Sequence, residues 1–165
     1  MTTFPRIYWD TNIFIMLREH SGQLHDLLWQ LLEATRGHHV SFTTSELTFS
    51  ELKVRPLQQN DLELFKTYDE WSSGDGWLEI WPVSRPVLEG AALLRAQKAG
   101  LKLPDAIHVA TALHVHCSHF LTADMGLKNI DDLVHPLRGK LDIIPLTILR
   151  PDEPTLTSLL KSMAE

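Results

Sequence analysis

Four acidic residues adjoin predicted apolar elements of the chain, and carboxylates in such places can bind a cation. They are Asp10, Glu51, Asp105 and Asp124. Burying a lone carboxylate is costly, so an acid beside a hydrophobic element needs a partner. Hard divalent cations prefer oxygen ligands, and Mg²⁺ or Mn²⁺ suits a group of acids better than zinc does. Such an ion can lower the pKa of a bound water and stabilise charge on a phosphoryl group during its displacement.

Each acid also has an explanation that involves no ligand. Asp10 can cap the helix that follows it or lie at a solvated strand end. Asp105 can favour a helix N-terminus, Asp124 can be a turn residue, and Glu51 can be a solvated helix position. These explanations stay open for each residue taken singly, whereas four acids that share one placement favour the metal site.

Predicted strands and helices alternate along the chain, which is typical of a parallel sheet between two layers of helices. The predicted strands cover residues 7–9, 40–43, 77–82, 119–122 and 142–144. The predicted helices cover residues 13–17, 24–37, 43–55, 61–71, 86–100, 104–113 and 152–163. Because parallel strands end at one edge of a sheet, acids that follow different strands can meet there.

Length and composition indicate one soluble domain. A chain of 165 residues, 44% hydrophobic and 22% charged, suits a single core over residues 1–150. A C-terminal helix at 151–165 is expected to pack on that domain or to be available to a partner. One cysteine, Cys117, excludes an internal disulfide, and no membrane span or signal peptide is visible, so we expect a cytoplasmic protein without membrane contact.

The net charge of -6 argues mildly against a general nucleic-acid binder, which is usually basic. The negative charge is compatible with a metal-dependent nuclease, because in such an enzyme divalent cations offset the clustered carboxylates. Basic residues near the acids in sequence are candidate phosphate contacts. They are Lys53, Arg55, Lys98, Lys102 and Lys128.

Four segments, in this order, resemble the PIN-domain nucleases, which include the VapC-type toxins of bacterial toxin–antitoxin pairs. The segments are Tyr-Trp-Asp-Thr-Asn at 8–12, Thr-Ser-Glu-Leu-Thr-Phe-Ser-Glu-Leu at 44–52, Leu-Pro-Asp-Ala-Ile-His-Val-Ala-Thr-Ala at 103–112 and Phe-Leu-Thr-Ala-Asp-Met-Gly-Leu at 120–127. The resemblance covers nearly the whole chain, to about Ile148.

The resemblance implies a three-layer α/β/α sandwich with a mainly parallel central sheet and the activity of a metal-dependent endoribonuclease. It implies Mg²⁺ or Mn²⁺ as cofactor and RNA as substrate. Because the toxin members are commonly homodimers silenced by a small antitoxin protein, it also implies those two partners. The positions that match the family's metal ligands are Asp10, Glu51, Asp105 and Asp124. The positions that match residues orienting those acids are Thr11, Asn12 and Thr122.

Glu46 competes with Glu51 for the second acidic position. Five residues on a helix turn through ~140°, so these two carboxylates do not share a face. Glu46 has a local explanation as the last residue of a capping box that starts at Thr43, in a helix that Pro56 should end. We therefore expect Glu51 at the site and keep Glu46 as the alternative. Some family members carry a further acid where this chain has Gly126, so the resemblance leaves the number of metal ions open between one and two.

His108 lies three residues after Asp105 and therefore on the same helix face. It either orients a carboxylate or is a hydrogen-bonded core histidine, and the sequence favours the core histidine.

Two other functions compete with the endoribonuclease. One is a catalytically inactive PIN-like module that only binds RNA or a protein, although the presence of all four acids counts against it. The other is an aspartyl-phosphate phosphohydrolase with Asp10 as nucleophile. That chemistry usually needs a second acid two residues further on, where this chain has Asn12.

Overall fold

The computed structural model describes residues 6–36, 42–74 and 76–164. In this part of the chain the strands are β1 (Ile7–Trp9), β2 (Phe42–Ser45), β3 (Leu78–Trp81), β4 (His119–Leu121), β5 (Val134–His135), β6 (Gly139–Lys140) and β7 (Thr147–Leu149). The helices are α1 (Thr11–Glu19), α2 (Gln23–Thr35), α3 (Glu46–Gln59), α4 (Leu62–Trp71), α5 (Arg85–Gln97), α6 (Leu103–His114) and α7 (Glu153–Ala164). None of these helices is long and apolar enough to span a membrane.

Five strands form one sheet in the order β3-β2-β1-β4-β7, and every pairing in it is parallel. β5 and β6 form a separate antiparallel pair. The chain moves outward from β1 through β2 to β3 and then crosses to β4 on the other side of β1. The strand order therefore reverses between β1 and β4, and ligands of open α/β sheets bind outside the carboxyl ends of the strands at such a point.

Alternate residues of the central strand face opposite sides of the sheet, and each side is covered by helices. Ile7 and Trp9 belong to a core formed with α1, α2, α3, α4 and α7. Tyr8 faces the other way, into a core formed with α5, α6 and Phe120 of β4. Two cores on the two faces of one parallel sheet confirm the predicted three-layer α/β/α sandwich.

The helix α6 is apolar nearly all round because it is enclosed between the sheet and α5. All eight residues from 106 to 113 are buried. Gly90 of α5 faces Ala110, and a Cβ at Gly90 would lie 3.4 Å from the Cβ of Ala110, in ordinary contact. This packing fixes the N-terminal turn of α6, and with it Asp105, at the carboxyl edge of the sheet.

The C-terminal helix α7 packs against α2. Leu156 and Met163 are buried in the same core as Ile7 and Trp9. The helix therefore completes the apolar cover on that face of the sheet.

The expected start and end of α3 were wrong. Thr43 lies within β2, and Ser45 caps the helix instead, its hydroxyl accepting from the Leu47 amide at 3.1 Å. Pro56 lies inside the helix and is buried, and the helix ends at Gln59, followed by Asn60 as a cap whose φ of 53° is left-handed. Tertiary burial here outweighs the local cost of a proline without an N–H.

The last predicted strand was also misplaced. Residues 142–144 form no strand, and β7 at Thr147–Leu149 pairs with β4 instead. Both segments are short apolar runs that local pattern does not distinguish, so only pairing with β4 selects one of them. Of the predicted second strand, residues 40 and 41 lie outside the described residues, as does the expected helix end near Gly37.

Candidate active site

Asp10 directly follows β1 and is only 6% exposed. Its amide donates to the Leu121 carbonyl at 3.1 Å, which continues the pairing of β1 with β4. One carboxylate oxygen accepts from the Thr11 amide at 2.8 Å, and the other accepts from the Thr122 hydroxyl at 2.7 Å and the Asn12 amide at 3.2 Å. Asp10 therefore does cap α1, but it does not lie at a solvated strand end.

Asn12 and Thr122 connect the segments that follow β1 and β4. The Asn12 side-chain amide donates to the Thr122 hydroxyl oxygen at 3.1 Å, and its carbonyl oxygen accepts from the Ala123 amide at 3.0 Å. The Thr122 hydroxyl oxygen also accepts from the Asp124 amide at 2.9 Å. These bonds hold Asp10 and Asp124 on either side of the point where the strand order reverses. Asp124 also accepts from the Gly126 amide at 2.8 Å, so its turn role is real as well.

Glu51 projects from α3 towards the same edge. Its Oε2 accepts from the Thr11 hydroxyl and lies 2.8 Å from His108 Nε2. Burial would raise the pKa of Glu51, but the hydrogen bonds with His108 and Thr11, together with the charge of His108, outweigh it and lower the pKa. Glu46 is exposed, and in the described part of the chain no hydrogen bond or ion pair joins it to these residues.

A chain of hydrogen bonds extends from Tyr8 through His108 to Glu51. The Tyr8 hydroxyl lies 2.6 Å from His108 Nδ1, and both residues are almost wholly buried. Burial, together with the charge of Asp10, raises the pKa of Tyr8 well above its usual value. The phenol therefore keeps its proton, so it can donate to Nδ1 in the tautomer of His108 that carries its proton on Nε2, beside Glu51. His108 is thus both a core histidine and the partner of a carboxylate.

Asp105 lies in the first turn of α6 and shares the electrostatic field of the other acids. Burial raises the pKa of Asp105, and the charges of Asp10 and Asp124 raise it further, whereas His108 partly offsets them. Asp105 and Asp124 line one cavity, Thr122 is hydrogen-bonded to both Asp10 and Asp124, and His108 Nε2 lies within 4.0 Å of both Asp10 and Glu51. The fold therefore brings the four sequence-predicted acids to one edge of the sheet from four different elements.

The donor chemistry of this edge fits a hard divalent cation. Every predicted ligand is a carboxylate, and the mutual repulsion that raises the pKa of Asp105 is relieved by positive charge. Within the described residues, no three side chains of His, Cys, Asp or Glu form a ready-made metal-binding group. The carboxylate oxygens of Asp10 accept hydrogen bonds from Thr11 and Thr122. Oε2 of Glu51 is hydrogen-bonded with Thr11 and His108.

The candidate phosphate contacts separate into two groups. Lys53 pairs with Asp69 at 2.8 Å and Arg55 pairs with Glu19 at 2.7 Å. The remaining three lysines line a cavity together with acids of the site. They are Lys98, Lys102 and Lys128.

Sequence reasoning missed Tyr8 as a residue that supports the site. The signal was present in β1, because strand alternation turns Tyr8 away from Ile7 and Trp9, towards the face that carries α6. A phenol on a buried face needs a hydrogen-bond partner, but no local signal identifies His108 of α6 as that partner.

Comparisons with known proteins identify one matching family and several solved structures with a similar fold. The sequence model of one family, described as PIN domain, matches residues 7–133. No curated protein gives a significant match. One similar solved structure is a toxin–antitoxin complex from Klebsiella pneumoniae, with 24% identity, a TM-score of 0.56, and coverage of 89% of this chain and 98% of the other.

A second similar structure is VapBC2 from Rickettsia felis bound to a DNA fragment from their promoter. Its identity is 16% and its TM-score 0.59, and the match covers 87% of this chain and 97% of the other. At these identities the two structures show a shared fold that extends over nearly the full length of both relatives.

Proposed function

Because this chain belongs to the PIN domain family, a family of nucleases, we propose that it is a metal-dependent endoribonuclease that hydrolyses RNA phosphodiester bonds. One observation carries the proposal. Asp10 and Asp124 follow the two strands between which the strand order reverses and are bridged by Thr122, Glu51 and Asp10 both lie within 4.0 Å of His108 Nε2, and Asp105 shares a cavity with Asp124. Open α/β sheets place ligands at that point, and clustered carboxylates suit a cation that faces a phosphate.

The proposed ligands of Mg²⁺ or Mn²⁺ are Asp10, Glu51, Asp105 and Asp124. When bound, the cation supplies Lewis-acid chemistry that makes water a better nucleophile and stabilises charge on the phosphate. Thr11, Asn12 and Thr122 orient the acids through the hydrogen bonds described above. His108 holds the carboxylate of Glu51 by its Nε2. A lysine beside the acids would neutralise charge that develops on the phosphate.

The mechanism is tested by the products of RNA cleavage. If water is the nucleophile, the 2′-hydroxyl takes no part, so a 2′-deoxy substitution at the cleaved linkage should be tolerated. Mass spectrometry of the fragments should then show no 2′,3′-cyclic phosphate. A cyclic phosphate product would contradict the mechanism, and a phosphoryl group trapped on Asp10 would favour the phosphohydrolase.

The ligand assignment is tested by paired substitutions. Cleavage in Mg²⁺ or Mn²⁺ should disappear in Asp10→Asn and Glu51→Gln, whereas Glu46→Gln makes the same chemical change on the same helix and should keep activity. Activity lost in Glu46→Gln and kept in Glu51→Gln would reverse the assignment. RNA that the wild-type protein binds but leaves intact in Mn²⁺ would favour an inactive binding module.

We propose further that the chain is the toxin of a type II toxin–antitoxin pair. Support comes from its similarity, along 97–98% of their length, to chains of two complexes that are toxin–antitoxin or VapBC assemblies. The partner would be a small antitoxin protein, and the toxin itself would be a homodimer. Co-expression with the product of an adjacent small reading frame should yield a stable complex and relieve growth arrest, and light scattering of the chain alone should give twice its mass. No growth arrest and no co-purifying product would leave a nuclease outside such a pair.

A further inference from the structure

A cavity of about 450 Å³ adjoins the acidic edge of the sheet. It lies between the turn that links α5 to α6 and the turn that follows β4. Asp105 and Asp124 line it on the side of the candidate active site. Its volume falls within the roughly 300–1,000 Å³ range of small-ligand sites, which suits one nucleotide of a strand rather than a duplex.

Three lysines of this cavity have no acidic partner in the described parts of the chain. Lys98 and Lys102 lie in the turn between α5 and α6, and Lys128 follows β4. Lys53 and Arg55, by contrast, are paired with Asp69 and Glu19. The three lysines share the cavity lining with two carboxylates, Asp105 and Asp124. Unpaired ammonium groups attract an anion, so this lining fits a phosphate group that contacts the lysines.

The remainder of the lining is largely aliphatic. Leu101, Val109, Leu127 and Ile130 contribute to it, and no aromatic ring does. A nucleotide has both features that this lining complements, since its base has apolar faces and its phosphates are anions. A free phosphate would use only the lysines, and an apolar ligand would use only the aliphatic part.

We propose that this cavity is a nucleotide subsite that holds one nucleotide of the RNA strand next to the cleaved bond. The base packs against the aliphatic side chains, and the three lysines contact the phosphates on either side of that nucleotide. The proposal rests on the proposed function, because it assigns the substrate strand a path from the acids into the cavity.

The first test removes the positive charge from the cavity. We compare Lys98→Ala/Lys102→Ala/Lys128→Ala with Lys66→Ala/Lys140→Ala/Lys161→Ala, which removes as many charges from exposed lysines outside the cavity. Binding of a fluorescein-labelled single-stranded RNA of about 10 nucleotides is measured by anisotropy in Ca²⁺, and cleavage is measured in Mg²⁺.

The cavity variant should bind the RNA at least tenfold more weakly, and the control variant should stay within about twofold of wild type. Loss of contacts with two phosphates should also lower the slope of log Kd against log salt by roughly 1.4, given about 0.7 for each phosphate of a single strand. Arginine at all three positions should restore binding. Equal losses in the two alanine variants, or no loss in either, would overturn the proposal.

The second test separates a cavity from a diffuse basic surface. Ala99→Trp fills the cavity and leaves all three lysines in place, whereas Ala92→Trp adds the same ring on α5 outside the cavity. Only Ala99→Trp should raise the KM for RNA, by about tenfold, and both variants should melt within a few degrees of wild type. Unchanged KM in Ala99→Trp would overturn the subsite. Wild-type protein that shows this lysine-dependent binding but cleaves no RNA would instead contradict the proposed nuclease.

Discussion

Two hydrogen bonds made by His108 connect a fully buried phenol to a carboxylate at the candidate active site. Tyr8 lies 2.6 Å from Nδ1, and Glu51 lies 2.8 Å from Nε2. A metal ligand is positioned by the groups that hydrogen-bond to it as well as by its own backbone. The orientation of Glu51 is therefore determined partly by Tyr8, a fully buried residue of the central strand.

Tyr8→Phe should affect both stability and catalysis. Without the hydroxyl, the buried Nδ1 of His108 lacks its partner, so unfolding should become easier by about 1–3 kcal/mol. Affinity for Mn²⁺, measured from the metal dependence of cleavage, should fall by about 10- to 100-fold. Tyr68→Phe is the matched control, because its hydroxyl donates to Glu19 at 2.6 Å away from the acids. Equal metal dependence in the two variants would show that Tyr8 is only structural.

Asp105→Asn should stabilise the metal-free protein while abolishing cleavage. Burial and the charges of Asp10 and Asp124 raise the pKa of Asp105, so its ionised form opposes folding at neutral pH. The gain should be at most about 1 kcal/mol, because the carboxylate is partly exposed and screened. That gain corresponds to a rise in Tm of about 2–4 °C at pH 7.

The advantage of Asp105→Asn should shrink as the pH falls. Between the usual and the raised pKa of Asp105, the folded state binds more protons than the unfolded state. Wild type therefore recovers the lost stability by taking up the proton itself. Melting curves from pH 7 down to about pH 4 measure this convergence, and a stability gap that stays constant with pH would contradict it.

At the scale of elements, the close approach of α5 to α6 determines where Asp105 lies. Gly90 faces Ala110, and a Cβ on Gly90 would stand 3.4 Å from the Ala110 Cβ, which is ordinary contact. The crossing therefore accepts a methyl group at Gly90.

Two substitutions at Gly90 should have opposite effects. Gly90→Ala should be neutral or stabilising by up to about 1 kcal/mol, because alanine favours a helix interior over glycine. Gly90→Leu should destabilise by about 1–3 kcal/mol, because the larger side chain pushes α5 away from α6. Urea unfolding measures both. Similar stability in the two variants would mean that the helices separate without cost.

For the whole molecule, mutual repulsion among the acids should couple the proposed metal binding to folding. The folded chain gathers four carboxylates that the unfolded chain keeps apart, so a cation should bind the folded state preferentially. Mn²⁺ at about 100 times its Kd should add about 2.7 kcal/mol, or roughly 5–10 °C in Tm. Asp10→Asn should remove the shift and Glu46→Gln should keep it. Equal shifts in both variants would place the cation elsewhere.

The distribution of charge in the whole molecule matters more than its sum. The net charge of -6 argues against a general nucleic-acid binder. The fold nevertheless gathers Lys98, Lys102 and Lys128 into one cavity beside the acids. Net charge is a property of composition, whereas the local potential depends on which distant residues become neighbours.

Much of the fold was predictable because the signals are local. Alternation of strands with helices indicated the parallel sandwich, and the apolar run after Asp105 indicated a buried α6. Asp10 was selected because a carboxylate directly follows a β-branched and aromatic strand and because three further acids share that kind of placement. Helix geometry separated Glu46 from Glu51, but the preference for Glu51 rested on a capping box from Thr43 that the structure replaces with a Ser45 cap. Glu51 lies against Thr11 and His108, whereas Glu46 is exposed.

Only the tertiary structure decided which distant residues meet. Tyr8 and His108 are 100 positions apart, and their contact depends on the pairing of β1 with β4 and the packing of α6. Burial of Pro56 extended α3, and pairing with β4 selected β7 over the apolar run at 142–144. Sequence determines the period and polarity of each element, because these depend on neighbouring residues. Contacts across the sheet depend on the order of the strands and on which apolar segments pack into the core. Neither property is encoded in a single segment.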